Sequence, residues 1–272
     1  MIPLRYVELN PTELCNRKCY FCPRAHGYPN RNLHMTPEVA EQAFAQTAKY
    51  TNRVTITGKG EPLLAKYLYE ILELSIKYKT RYTMATNGDT LDDHIDEINK
   101  IWDLSKPHDT EGWPKMQLNC YDGIDQMEER KKKYAGLNGI HITADRTDTY
   151  ENTLHRLSKN QLHNRAGYLP WTNVEALSKP CYVLFWKTFI EYNGDVILCC
   201  NDWTVPPKSF GNILVEGFET IWENNLHKIR MGLTKKNGRS KFNSCIECDV
   251  ISDEKKSTQQ YLNWRANESV CN

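Results

Sequence analysis

The sequence lacks several things, and each absence closes off a class of function. It has no apolar run approaching the roughly 18 residues that a membrane-spanning helix needs. Its mean hydropathy is −0.66, so no membrane partner is expected. It has no charge surplus: 35 Lys and Arg stand against 34 Asp and Glu, leaving a formal net charge of +1. That balance creates no global field for nucleic acid or anionic lipid. Its opening, MIPLRYVELNP, lacks the charged-then-apolar layout of a secretory signal, so a cytoplasmic location is expected. There is no internal repeat and no low-complexity tract in the 272 residues, a length that suits one large domain or a domain with an appendage.

Cysteine, by contrast, is abundant. Ten cysteines in a reducing compartment point to metal ligands or catalytic groups more than to disulfides. Cys15, Cys19 and Cys22 share one stretch, ELCNRKCYFCPRAHG, with the spacing C-x3-C-x2-C. Cys181, Cys199, Cys200, Cys245 and Cys248 fall in the last third, while Cys120 and Cys271 stand alone. Three thiolates are one short of a closed zinc site and an odd number for disulfides. They suit a cubane iron–sulfur cluster with one iron left open. A zinc site borrowing His26 or His34 and a set of free structural cysteines are the alternatives.

Around these cysteines the first half alternates strand-like and helix-like segments. Strand patterns occur in RYVELN, RVTITG, RYTMATNG, KMQLNCYDG and GIHITAD. Helical stripes fall at Val39, Ala40, Ala43 and Phe44, behind a Thr36-Pro37-Glu38 start. Further stripes run through Leu64, Tyr67, Leu68, Ile71, Leu72 and Ile76, and through Leu91, Ile95, Ile98 and Trp102. The charged run EERKKK reads as a solvated helix face. Repeated strand–helix units imply a parallel sheet, and about five visible strands imply a partial barrel rather than a closed one. Functional groups in such sheets gather at the strands' carboxyl ends. From about Asn152 the texture changes. WKTFIEYNGDVILCC reads as a hairpin around Asn193-Gly194-Asp195, and GFETIWENNLHKIRMGL as an amphipathic helix with Phe218, Ile221, Trp222, Leu226 and Ile229 inward. The expected division is 1–151 for an α/β core, 152–251 for a small hairpin-and-helix module, and 252–272 for a polar tail.

The C-x3-C-x2-C loop, with Phe21 just before its last cysteine, resembles the signature of the radical S-adenosylmethionine (SAM) superfamily. The resemblance implies a truncated parallel β/α barrel. It also implies that SAM chelates the open iron of a 4Fe–4S cluster, and that reductive cleavage gives a 5′-deoxyadenosyl radical that takes a hydrogen atom from substrate. TGKGEP resembles the family's glycine-rich motif for the SAM amino group, with Gly60 and Glu61 on the matching positions and Lys59 where glycine is usual. ATNG and QLNCYDG resemble the strand ends that touch SAM's carboxylate and ribose, which assigns Thr86, Asn87 and Asn119. HITAD places Ile142 beside the adenine.

Cys181, the G-x4-C of Gly194 and Cys199, and the C-x2-C of Cys245 and Cys248 resemble the Twitch and SPASM appendages of the same superfamily. Four thiolates imply one auxiliary 4Fe–4S cluster held by Cys181, Cys199, Cys245 and Cys248, with structural zinc as the alternative for a quartet. Cys200 competes with Cys199, and because adjacent strand residues face opposite sides, one of the two is expected to bind. Cys120 is expected to be a buried small hydrophobe.

The implied activity is a two-electron oxidation of a small polar alcohol or sugar. The auxiliary cluster would accept an electron, and an external donor such as flavodoxin or ferredoxin would supply the first cluster. The layout of a short barrel with a one-cluster appendage resembles family members that oxidise a secondary alcohol. A peptide- or protein-modifying maturase is the second reading. It is lowered because Cys15 lies close to the start, leaving little room for a preceding peptide-recognition domain. A zinc-stabilised RNA-binding protein using KKNGRSK, Trp203 and Trp264 is the third, and the near-zero net charge counts against it. No general base is evident; His26, His34, Arg24, Arg146 and Arg165 are candidates by position only.

Overall fold

The computed structural model describes residues 4–108, 113–159 and 161–251. The tail from 252, with Trp264 and Cys271, lies outside the described residues. Among the described residues, eight strands form one sheet in the order β5-β4-β3-β2-β1-β6-β7-β8. The five expected strands are β1 (Tyr6–Leu9), β2 (Arg53–Ile56), β3 (Arg81–Thr86), β4 (Met116–Asn119) and β5 (Ile140–Thr143), all parallel to their neighbours. A sixth parallel strand, β6 (Lys187–Ile190), pairs with the other edge of β1, Tyr6 opposite Lys187 and Glu8 opposite Phe189. It is the first arm of the expected hairpin. Its second arm, β7 (Asp195–Ile197), and β8 (Ser209–Asn212) continue the sheet antiparallel. The C-terminal hairpin therefore extends the core sheet instead of standing apart from it. The sheet stays open, as expected for a partial barrel.

Strand alternation sorts the side chains into two layers. Val7, Leu9, Val54, Ile56, Tyr82, Met84, Met116 and Leu118 point into the hydrophobic core. They meet α1 (Pro37–Thr47), α2 (Leu68–Lys77) and α3 (Ile95–Trp102). The Thr36 hydroxyl caps α1 by accepting from Val39 N, and Pro37 opens its first turn, as the sequence predicts. Leu64 and Leu91 fall in short 3-10 turns ahead of α2 and α3 rather than within them. Trp102 stacks on Tyr82 at 4.1 Å between ring centroids and donates to Ser75 Oγ at 3.0 Å. The alternate row, including Glu8, Thr55, Ala85, Gln117 and Asn119, faces the opposite side and lines a cavity. Helix α4 (Ile124–Lys133) has no buried residue, as its charge run predicts.

Strand β8 also went unpredicted, as did α5 (Tyr150–Ser158), capped by the Thr149 hydroxyl, and the single turn α6 (Val174–Leu177). The amphipathic helix after Gly217 is a π-helical segment, Thr220–Asn225, followed by α7 (His227–Leu233). Its five predicted inward residues are all buried. No helix among the described residues is long and apolar enough to cross a membrane.

Candidate functional site

The first cysteine loop leaves the carboxyl end of β1 and is pinned by polar contacts. Asn30 holds the backbone of Cys15 from both sides, accepting from its N–H at 2.9 Å and donating to its carbonyl at 3.0 Å. Buried Arg24 donates to Asn30 Oδ1 at 2.9 Å and to the carbonyl of Glu13 at 2.5 Å. Arg24 is thereby committed to structure, although it lines the cavity. Arg17 bridges Asp89 and Asp122 across the rim. Cys15, Cys19, Cys22 and Phe21 all line one cavity of about 700 Å³, and Phe21 packs against Tyr121 at 5.4 Å. Burial raises the thiol pKa of Cys15, Cys19 and Cys22. Cys15 is raised further by Cys22, and Cys19 by Cys22 and Cys15. Arg24, Arg17 and Arg165 act in the opposite direction without overcoming burial, so iron binding there must expel protons.

The glycine-rich loop after β2 packs directly on the root of that loop. A Cβ on Gly60 would meet the carbonyl oxygens of Thr12 and Leu14 at 2.3 and 2.6 Å, so only glycine fits. Glu61 is buried at the cavity wall. It accepts from Leu63 N at 3.1 Å and Thr86 Oγ1 at 2.5 Å through one oxygen, and from Asn87 N at 2.8 Å through the other. Burial pushes its carboxyl up to about 7 against these hydrogen bonds. Asn119 donates to the carbonyl of Thr86 at 3.3 Å. Gly60, Glu61, Thr86, Asn87 and Asn119 all face the cavity. Ile142 does not: it is partly buried against the hydrophobic core and is not among the cavity-lining residues.

The second cysteine set gathers behind the same cavity. The thiols of Cys199, Cys245 and Cys248 are raised by burial and then by their sulfur neighbours. For Cys199 these are Cys200, Cys248 and Cys245, for Cys245 they are Cys248 and Cys181, and for Cys248 it is Cys181. Strand β7 ends at Ile197, so Cys199 and Cys200 sit on a turn rather than on opposite faces of a strand. They part company all the same. Cys200 lines the cavity and accepts a hydrogen bond from Lys187 Nζ at 3.0 Å. Among the described residues, no group of three or more His, Cys, Asp and Glu side chains is placed to hold a single metal ion. Both sets offer thiolate sulfur, the usual protein donor to iron–sulfur clusters.

Several cavity residues escaped the motif search. Glu8 and Lys187 form an ion pair at 3.6 Å through Glu8 Oε1, while Glu8 Oε2 is buried without a hydrogen-bond partner. Lys59 Nζ pairs with Glu191 Oε1 at 2.6 Å. The available signal was a charged residue in an otherwise uncharged strand: Lys187 opens β6, whose four residues are all buried, and a buried charge needs a polar partner. Of the proposed bases, Arg146 and Arg165 line the cavity; His26 and His34 do not. Cys120 is fully buried.

The sequence matches the radical SAM superfamily over residues 9–105 and the SPASM iron–sulfur cluster-binding domain over residues 181–249. It is 24% identical over 264 residues to the S-adenosyl-L-methionine-dependent 2-deoxy-scyllo-inosamine dehydrogenase of Niallia circulans, covering 94% of this chain and 97% of that one. The fold is similar to that of BtrN in complex with AdoMet and 2-DOIA, with a TM-score of 0.69, 22% identity, and 92% and 94% of the two chains covered. It is also similar to Streptococcus suis SuiB bound to its precursor peptide SuiA, with a TM-score of 0.53, 14% identity, and 92% and 70% covered. The chain is a radical SAM enzyme with a SPASM-type domain, using SAM with a 4Fe–4S cluster in the first region and an auxiliary iron–sulfur cluster in the second.

Proposed function

We propose that the protein dehydrogenates a small polar alcohol, a cyclitol or sugar, in the cytoplasm, with an external flavodoxin- or ferredoxin-like electron donor. The observation that carries this reading is the composition of one cavity. It is lined by the three-cysteine loop and by the turn that carries Cys199 and Cys200, and it includes a buried carboxylate oxygen, Glu8 Oε2, without a partner. A volume of about 700 Å³ suits small ligands. A buried acceptor without a donor inside such a volume suits a substrate rich in O–H or N–H groups.

In this reading Cys15, Cys19 and Cys22 hold the open cluster, and Cys181, Cys199, Cys245 and Cys248 hold the auxiliary one. Gly60 and Glu61 receive the SAM amino group, and Thr86, Asn87 and Asn119 orient its carboxylate and ribose. Glu8, held at one oxygen by Lys187, binds a substrate donor with the other. Arg146 and Arg165 complete the polar wall. When bound, SAM and the two clusters supply hydrogen-atom abstraction and an acceptor for the second electron, which together make a two-electron oxidation. The 24% identical relative that spans the full length is named for a dehydrogenase of this kind, which supports the reading. The likeness to SuiB concerns fold alone.

The test is anaerobic turnover of the reconstituted enzyme with a panel of cyclitols, aminocyclitols and sugars. One ketone or aldehyde per 5′-deoxyadenosine is expected from the true substrate. Coupled turnover with a peptide and none with any polyol would replace this reading with the maturase one.

A further inference from the structure

Lys59 stands where the family pattern has glycine, and its side chain is 1% exposed. Its ammonium is enclosed by parts of the chain far apart in sequence. It pairs with Glu191 Oε1, in the turn between β6 and β7, at 2.6 Å. It also lies 5.9–6.0 Å from the ring centroids of Tyr28, Phe189 and Trp203, on the first cysteine loop, on β6 and just beyond Cys199. The main chain of the same residue is fixed at both ends. Lys59 N donates to Asn10 Oδ1 at 3.0 Å. Its carbonyl accepts from Arg24 Nε at 2.9 Å and from the Arg24 terminal nitrogen at 2.7 Å. Asn10 closes the ring by donating to Glu191 Oε2 at 2.6 Å. Gly58 leaves no slack, because a Cβ there would meet Asn10 Oδ1 at 2.2 Å.

We infer that Lys59 and Glu191 form a strut through which the C-terminal hairpin sets the position of the Gly58–Glu61 loop. The SPASM-side module thereby acts on SAM affinity as well as on electron transfer. The inference rests on the assignment of that loop to SAM. A buried pair of this kind adds little net stability, but removing one partner strands a charge. The stranded charge sits one residue from Gly60, so its relief must move the loop. Lys59 and Glu191 are positioning residues; neither needs to touch the reacting atoms.

The experiment uses the reconstituted full chain with Lys59→Met, Glu191→Gln, the double variant Lys59→Met/Glu191→Leu, and Gly60→Ala as a control on the loop. Iron content, thermal midpoint and the SAM dissociation constant are measured, the last from the change in the reduced cluster's electron paramagnetic resonance spectrum on titration. Each single variant is expected to keep its iron and to weaken SAM binding by roughly tenfold, a typical coupling between distinct sites. The double variant, which loses the strut without stranding a charge, is expected to bind SAM more weakly than wild type but no worse than either single one. A lower midpoint with unchanged SAM affinity in both single variants would overturn the strut. If Gly60→Ala also binds SAM normally, the loop assignment itself is wrong. Should the single variants fail to fold, the double variant decides: weakened SAM binding upholds the coupling, and wild-type affinity refutes it.

Discussion

Glu61, proposed to receive the SAM amino group, would tie cofactor binding to pH. Burial raises its carboxyl to about 7, from an ordinary value of 4.5, despite donors from Leu63, Thr86 and Asn87. A raised carboxyl keeps in the native state a proton that the unfolded chain releases. The unliganded protein should therefore lose stability as pH rises from 4.5 towards about 7. Only the ionised form pairs with the SAM ammonium, so SAM affinity should increase as pH rises through about 7. Titrations across this range should show Glu61→Gln binding SAM more weakly and without that pH dependence; a variant with the wild-type profile would remove Glu61 from the SAM site. The two adjacent cysteines give a second residue-scale prediction. Cys199 neighbours Cys245 and Cys248, whereas Cys200 neighbours Lys187 and Glu8. Cys199→Ser should lose about four irons per chain and Cys200→Ser none, by iron analysis; the reverse result would exchange their roles.

Among the elements, the π-helical segment Thr220–Asn225 is held by one buried residue. Arg230 donates to the carbonyl of Leu184 at 2.8 Å and to that of Trp222, and lies 3.9 Å from the Trp222 ring centroid. A π-helical turn misaligns carbonyls from their usual partners, and this guanidinium supplies the missing donor. Burial pushes Arg230 down to about 9, and the segment keeps it because two buried carbonyls need it. Arg230→Met should cost about 3 kcal/mol in chemical denaturation, from two acceptors left unpaired; a loss below about 1 kcal/mol would show that the segment stands without it. The sequence was legible where order is local. The Thr36 cap, the first five strands, the inward residues of the 218–229 stretch and the cysteine spacings all express themselves within a few residues. It was not legible where order comes from pairing at a distance. Strand β6 looked like half of an isolated hairpin because nothing near Lys187 records that Tyr6 lies opposite. Lys59 looked like a flaw in a glycine motif because its partner is 132 residues away. Ile142 was assigned from the resemblance of HITAD alone, and it is not among the residues that line the cavity.

For the whole molecule, one sheet unites the two iron–sulfur regions. The parallel strands present polar residues to a cavity that begins at the open cysteine loop, and β6 and β7 carry the chain directly to Cys199. The central claim is that the chain holds two clusters of unlike kind, an incomplete one that takes SAM and a complete one that does not. The most direct measurement is iron content with electron paramagnetic resonance on anaerobically reconstituted protein, with and without SAM. Wild type and the triple variant Cys15→Ala/Cys19→Ala/Cys22→Ala are compared. The account predicts about eight irons in wild type and about four in the variant, with a SAM-dependent spectral change only in wild type. A colourless, zinc-loaded wild type, or a variant whose remaining cluster still responds to SAM, would contradict it.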